Sequence, residues 1–174
     1  RFSKALQDFG YPECPGNIMV SNVQWRNSAS EFSQRVLHWL LTPDPDNLMN
    51  LAIFMDAHAV CGDAQLLLQV QQSVMRVATD NDAVLGRFAA AIDAFGNSQG
   101  WWNRLLGLEN SQTLNLKKEG IFPLVHGIRS LSLAHRVYET GTVDRIEALV
   151  AEGALSAEMG MRSEEHTSEL QSQR

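Results

Sequence analysis

The sequence predicts a mixed α/β remnant over residues 1–62, then an all-helical bundle over 63–160, mostly α overall. Three observations predict it. Leu51–Asp56 reads LAIFMD, a short apolar run between turn-forming segments, as in a buried strand. Asn17–Val20 is a second short apolar piece that suits a strand. Beyond Asp63 the apolar residues recur at helical spacing instead, at Leu67, Val70, Val74 and Val77.

The elements follow in order. Phe2, Ala5, Leu6 and Phe9 mark the end of a helix, with Gly10 as its stop. Tyr11–Gly16, YPECPG, is a loop by its prolines and glycine. Ser28 and Glu31 have the spacing of a capping box, which opens a helix to about Leu41 with Phe32, Val36, Trp39 and Leu40 on one face. Thr42–Asn47, TPDPDN, ends that helix, and the strand through Asp56 is expected next. Asp63 caps the next helix, and Asp80–Asp82 breaks it. Val84, Leu85, Phe88, Ala91, Ile92 and Phe95 mark another helix, then Gly96–Gly100 a loop. Pro123 suits the first turn of a helix to about Tyr138, with Ile121, Leu124, Val125, Ile128 and Leu131 on one inward face and Leu133 and Val137 on a second, so that it is buried on two sides. Gly141 and Thr142 open the last clear helix, with Val143, Ile146, Leu149 and Val150 inward and Gly153 as its stop.

Arg162–Ser172, RSEEHTSELQS, reads as the first-frame translation of a common sequencing adapter over eleven residues. The native sequence is therefore expected to stop near Met161, and residues 162–174 to be a disordered tail outside the fold.

The chain has 174 residues, 44% of them hydrophobic, enough for a packed core. A net charge of −6 without a basic cluster argues against nucleic acid as a partner, though not against a nucleotide. No apolar run reaches the length of a membrane span. Cys14 and Cys61 form neither a metal spacing nor a disulfide framework, which suits free thiols in the cytoplasm.

Asp56 is the residue with the most chemistry in prospect. A carboxylate at a buried apolar run is costly unless it is hydrogen-bonded, paired or metal-bound. It is read either as a satisfied structural acid or as a metal ligand. Asp63 is a helix cap or an acid behind the site. His58, two residues past Asp56, would share its face of a strand, either near phosphates or as a surface or paired histidine. Trp101 and Trp102 could stack a base or pack between helices.

Taken in order, GYPECPGNIMVSN, a Trp-containing helix, IFMDAHAVCGD and LKKEGIFPLVHGIRSLSLAHRVYETGTVDRIEALVAEGALS resemble the bacterial signal-transduction nucleotidyltransferase family. The resemblance covers Phe2 to Glu158. It implies a catalytic module related to the N-terminal domain of the PII uridylyltransferase, often preceded by cyclic-nucleotide-binding and CBS domains and followed by a helical domain. The implied fold is that of a DNA polymerase β-like nucleotidyltransferase. Enzymes of this kind use an Asp-x-Asp pair after a Gly-Ser motif, and a third carboxylate on a later strand. The first two motifs are expected upstream of Arg1, and Asp56 falls at the third position as a catalytic, metal-binding residue. The resemblance further implies Mg2+, a nucleoside triphosphate and a protein or small acceptor. Lys117, with its neighbour Lys118, and Arg129 are read either as cations that meet the triphosphate or as a solvated lysine pair and an ordinary helix-surface arginine. The alternative is a regulatory module that binds a nucleotide without turnover.

Overall fold

The computed structural model describes residues 1–91 and 121–161. Expectations that concern Ile92, Phe95, Trp101, Trp102, Lys117 and the adapter-like tail lie outside the described residues. Among the described residues there are helices and no strand.

The local signals work as their chemistry requires. Helix α1 spans Phe2–Asp8, and Gly10 follows it at φ +90, a conformation that costs a side-chain-bearing residue more. Helix α2 spans Ala29–Leu41. The Ser28 hydroxyl accepts from the Glu31 amide at 3.3 Å, and the Glu31 carboxylate accepts from the Ser28 amide at 3.1 Å. Both halves of the capping box are thus made. Helix α4, Ala64–Thr79, is capped by Asp63, whose carboxylate accepts from the Gln65 amide at 2.9 Å. Helix α5, Asp82–Ala89, is capped by Asn81.

The strand expected through Leu51–Asp56 is instead part of a helix, α3, Pro45–Met55. Asp44 caps it by accepting from the Asn47 amide at 2.9 Å, and Pro45 occupies a first-turn position where no N–H is needed. The TPDPDN segment therefore ends one helix and starts another. Helix α3 buries Leu48, Met49, Leu51, Ala52, Phe54 and Met55, and over residues 51–55 it is apolar all round. A helix buried in this way loses the amphipathic period that separates it from a buried strand. The second expected strand, Asn17–Val20, is irregular; a short 3-10 turn at Val23–Trp25 follows it.

Helix α6, Phe122–Ala134, and helix α7, Thr142–Ala151, complete the described elements with assigned bounds; residues 157–161 are also helical. Helix α6 stops four residues short of the expected Tyr138. Arg136 adopts φ 57 there, and the Val137 amide donates back to the Ser132 carbonyl at 2.9 Å. This is a Schellman ending without the usual glycine. Of the two faces expected of α6, Leu133 and Val137 on the second are buried, as is Ile128 on the first, but Leu131 is not. His126, Ile128, Arg129, Ser132 and Leu133 are buried, whereas Leu131 is 36% exposed.

Two apolar clusters hold the helices together. The larger joins Trp39, Leu51 and Phe54 to Val74, Phe88 and Leu133, and so runs across the Gly62–Asp63 junction at which a domain boundary is expected. Helix α2 lies on α4, and α3 packs on both α2 and α6. The smaller cluster, Ile128, Val137, Ile146, Leu149 and Leu155, closes α6 against α7. Among the described residues no helix is long and apolar enough to cross a membrane.

Leu133 is fully buried, so Leu133→Ala should cost about 2–5 kcal/mol in urea denaturation. Leu131→Ala should cost well under half as much. Equal losses would contradict the partial exposure of Leu131.

Candidate functional site

Asp56 is the C-cap of α3. That position sets two unfavourable features side by side. The last carbonyls of a helix have no partner within it, and they carry the negative end of its dipole. A carboxylate there adds to the negative potential. Two arginines answer it. Arg129, from α6, donates from Nε to Asp56 Oδ1 at 3.1 Å and from Nη2 to Oδ2 at 2.5 Å. Arg145, from α7, donates from Nη1 to Asp56 Oδ1 at 2.7 Å. Its Nη2 donates to the Met55 carbonyl at 2.6 Å, and its Nε to the Glu139 carbonyl at 2.7 Å. Every nitrogen of Arg145 is thus used, with the side chain 1% exposed.

The cluster continues to His126. Its Nε2 donates to the Phe88 carbonyl at 2.8 Å, near the end of α5. A carbonyl only accepts, so the proton sits on Nε2. Nδ1 is then left to accept from Arg129 Nη1 at 3.4 Å. One connected set of groups thereby ties the ends of α3 and α5 to α6 and α7.

The electrostatics follow from burial and proximity. Burial raises the Asp56 carboxyl, but the hydrogen bonds and charges of Arg129 and Arg145 outweigh it and hold Asp56 below the usual range. Its side chain keeps 40% of its surface exposed, so one flank meets water while the oxygens face the guanidiniums. Burial lowers Arg145, and Asp56 works against that loss. Burial is also the chief cause that pushes His126 down to about 4, with Arg129 adding to it and the Phe88 carbonyl opposing it.

The expected site residues are thus placed as follows. Asp56 and Arg129 are brought together, as partners of each other. Lys117 lies outside the described residues. Asp63 acts as a cap, and His58 is exposed. Sequence reasoning missed Arg145 and His126. Arg145 sits at a position of α7 where the apolar pattern gives no sign of a buried cation.

The Mg2+ implied by the resemblance does not fit at Asp56 in this arrangement. Both carboxylate oxygens accept from guanidiniums, whose positive charge repels a cation. What the cluster can do is hold helices in register. Beside it opens a cleft of 490 Å3, lined by His58, Gln65, Gln71, Tyr138, Glu139 and Asp144 among others. Glu139 and Asp144 give it an acidic edge.

Asp56→Asn leaves two guanidiniums short of their counter-charge. The expected loss lies between the roughly 1 kcal/mol of an exposed pair and the roughly 3–5 kcal/mol of a broken buried one. Mn2+ should leave the Tm of both proteins unchanged. A Mn2+-dependent rise in Tm that Asp56→Asn removes would restore the metal role.

His126 gives a pH dependence. In the unfolded chain it takes up a proton near 6.5, in the folded chain only near 4. The unfolded state therefore binds more protons between these values. The associated stability is whole above pH 6.5 and drains as pH falls toward 4, by up to about 1.4 kcal/mol per pH unit. His126→Gln should flatten this part of a Tm-against-pH profile. An unchanged slope would contradict a buried neutral His126.

Comparison with known proteins adds the family. Residues 82–174 match the family described as "Putative nucleotidyltransferase substrate binding domain". Residues 1–46 match "Putative nucleotidyltransferase DUF294". No curated protein and no solved structure matches the chain. The first match covers more than half of the chain and contains Arg129, Arg145 and His126; Asp56 lies between the two matched spans. The chain belongs to the nucleotidyltransferase family whose substrate-binding domain that match describes.

Proposed function

We propose that this chain is the acceptor-binding part of a nucleotidyltransferase of the PII uridylyltransferase-like kind, working in signal transduction in the cytoplasm. The observation that carries the reading is the order of the two family matches, a nucleotidyltransferase span followed by a substrate-binding span. The cluster of Asp56 with Arg129 and Arg145 supports it, because it fixes the helical part rigidly to α3.

The reaction is in-line attack by an acceptor group on the α-phosphate of a nucleoside triphosphate. The new bond joins the acceptor to that phosphorus, and pyrophosphate leaves. The acceptor, a protein or a small molecule, would lie in the cleft that His58, Tyr138, Glu139 and Asp144 line. Its acidic edge suits an acceptor with basic or hydrogen-bond-donating groups near the reacting atom. In this reading Asp56 positions helices and is not part of the metal site. Cyclic-nucleotide-binding and CBS domains would supply the regulatory input.

The test uses a protein in which segments bearing the Gly-Ser and Asp-x-Asp motifs precede this chain. With α-labelled nucleoside triphosphates and Mg2+, labelled acceptor and released pyrophosphate are expected. Glu139→Gln with Asp144→Asn should raise the KM for acceptor several-fold and leave nucleotide binding unchanged. Nucleotide binding without pyrophosphate release would favour a regulatory module that does not turn over.

A further inference from the structure

A second cavity lies at the other end of α3. It is a recess of 240 Å3 between the 16–25 segment and the first turns of α3, lined by Asn17, Gln24, Trp25, Asp46, Met49 and Asn50 among others. We propose that this recess is a nucleobase subsite, binding the planar ring of a nucleoside by its hydrogen-bonding edges. The proposal rests on the nucleotidyltransferase reading for the identity of the ligand, and on the recess itself for its chemistry.

The recess has a formed wall. Trp25 packs at 5.1 Å from Trp39 and 6.3 Å from Phe32, ring centre to ring centre, so its indole is held by the main core. Met49 is buried beside it. The loop that leads into Trp25 and also lines the recess is held by one amide. Asn22 donates from Nδ2 to the Asn17 carbonyl at 3.0 Å and accepts at Oδ1 from the Gln24 amide at 2.9 Å. Asn17 is held at φ 56, a left-handed conformation that asparagine tolerates better than most residues.

The other polar side chains of the recess are uncommitted. Asn22 is spent on the loop. The side chains of Asn17, Gln24, Asp46 and Asn50 make no hydrogen bond or ion pair with another described residue. Asp46 and Asn50 stand one turn apart on α3, with the buried Met49 between them in sequence. Amides both donate and accept, and a carboxylate accepts only. A ring of such groups against an aromatic wall matches a base, which has a flat π-face and an edge of mixed donors and acceptors.

Charge and size narrow the ligand further. Among the described residues no Lys or Arg lines the recess, and Asp46 is the one charged residue there. A phosphate would be repelled there, so the recess selects for the base end of a nucleotide. Its volume is below the roughly 300–1,000 Å3 of sites that enclose a drug-sized ligand. It therefore holds one ring system, leaving sugar and phosphates outside.

The experiment is isothermal titration of the 174-residue chain with adenosine, guanosine, cytidine and uridine, and separately with inorganic triphosphate. Saturable binding of at least one nucleoside is expected, with no competition from inorganic triphosphate. Gln24→Ala and Asn50→Ala should each weaken it about tenfold, the loss of about one hydrogen bond, with Tm unchanged. Absence of nucleoside binding, or binding that neither variant alters, overturns the proposal. If nucleosides bind in this way while no nucleotidyl transfer is found, the subsite stands and the enzymatic reading fails.

Discussion

A carboxylate at the C-terminus of a helix is electrostatically misplaced, and α3 ends on one. Asp56 adds its charge to a helix end that is already negative, and it closes a helix whose last turns are largely buried. Arg129 and Arg145 meet the same difficulty in reverse, as guanidiniums removed from water. Neither set of charges is tenable alone. Brought together, they satisfy both Asp56 oxygens, the Met55 carbonyl and the Glu139 carbonyl, and they leave His126 neutral against the Phe88 carbonyl. The positions of α6 and α7 relative to α3 meet that condition. The apolar clusters supply most of the burial, but they are non-directional. The charged cluster adds directional contacts between α3, α6 and α7.

Much of the helical pattern was legible because it rests on local chemistry. The Ser28–Glu31 box, the Asp63 cap and the Gly10 and Gly153 stops act within one turn of the chain, so their residue types announce them. The failures occurred where tertiary context decides. The run LAIFMD is equally apolar in a buried strand and in a buried helix, and the deciding signal, Asp44 with Pro45, was read as a terminator alone. The end of α6 was misplaced because Arg136 takes a left-handed conformation that glycine normally marks. The aliphatic pattern of α6 marks two inward faces, and Leu133 and Val137 on the second are buried, whereas Leu131 on the first is partly exposed. The inward side also carries His126, Arg129 and Ser132, whose burial depends on partners far along the chain.

The same reasoning separates what was legible about the site from what was not. Asp56 could be singled out, since an acid closing an apolar run needs a partner. The nature of that partner could not be read, because Arg129 and Arg145 lie 73 and 89 residues away in sequence. A carboxylate that binds a metal and one that binds two arginines look alike in one dimension. The structure divides the work along α3. Its C-terminal end is committed to holding the helices together. Its N-terminal turns, with Asp46 and Asn50, keep uncommitted polar groups beside Trp25.

The central claim is that Asp56 and the arginines stabilise one another rather than acting separately. A double-mutant cycle with Asp56→Asn and Arg145→Met measures it most directly, by chemical denaturation at pH 7. The account predicts a coupling energy of about 1.5 kcal/mol or more, within the range of residues that share one charged network. A coupling below about 0.5 kcal/mol, the scatter of independent sites, would contradict it.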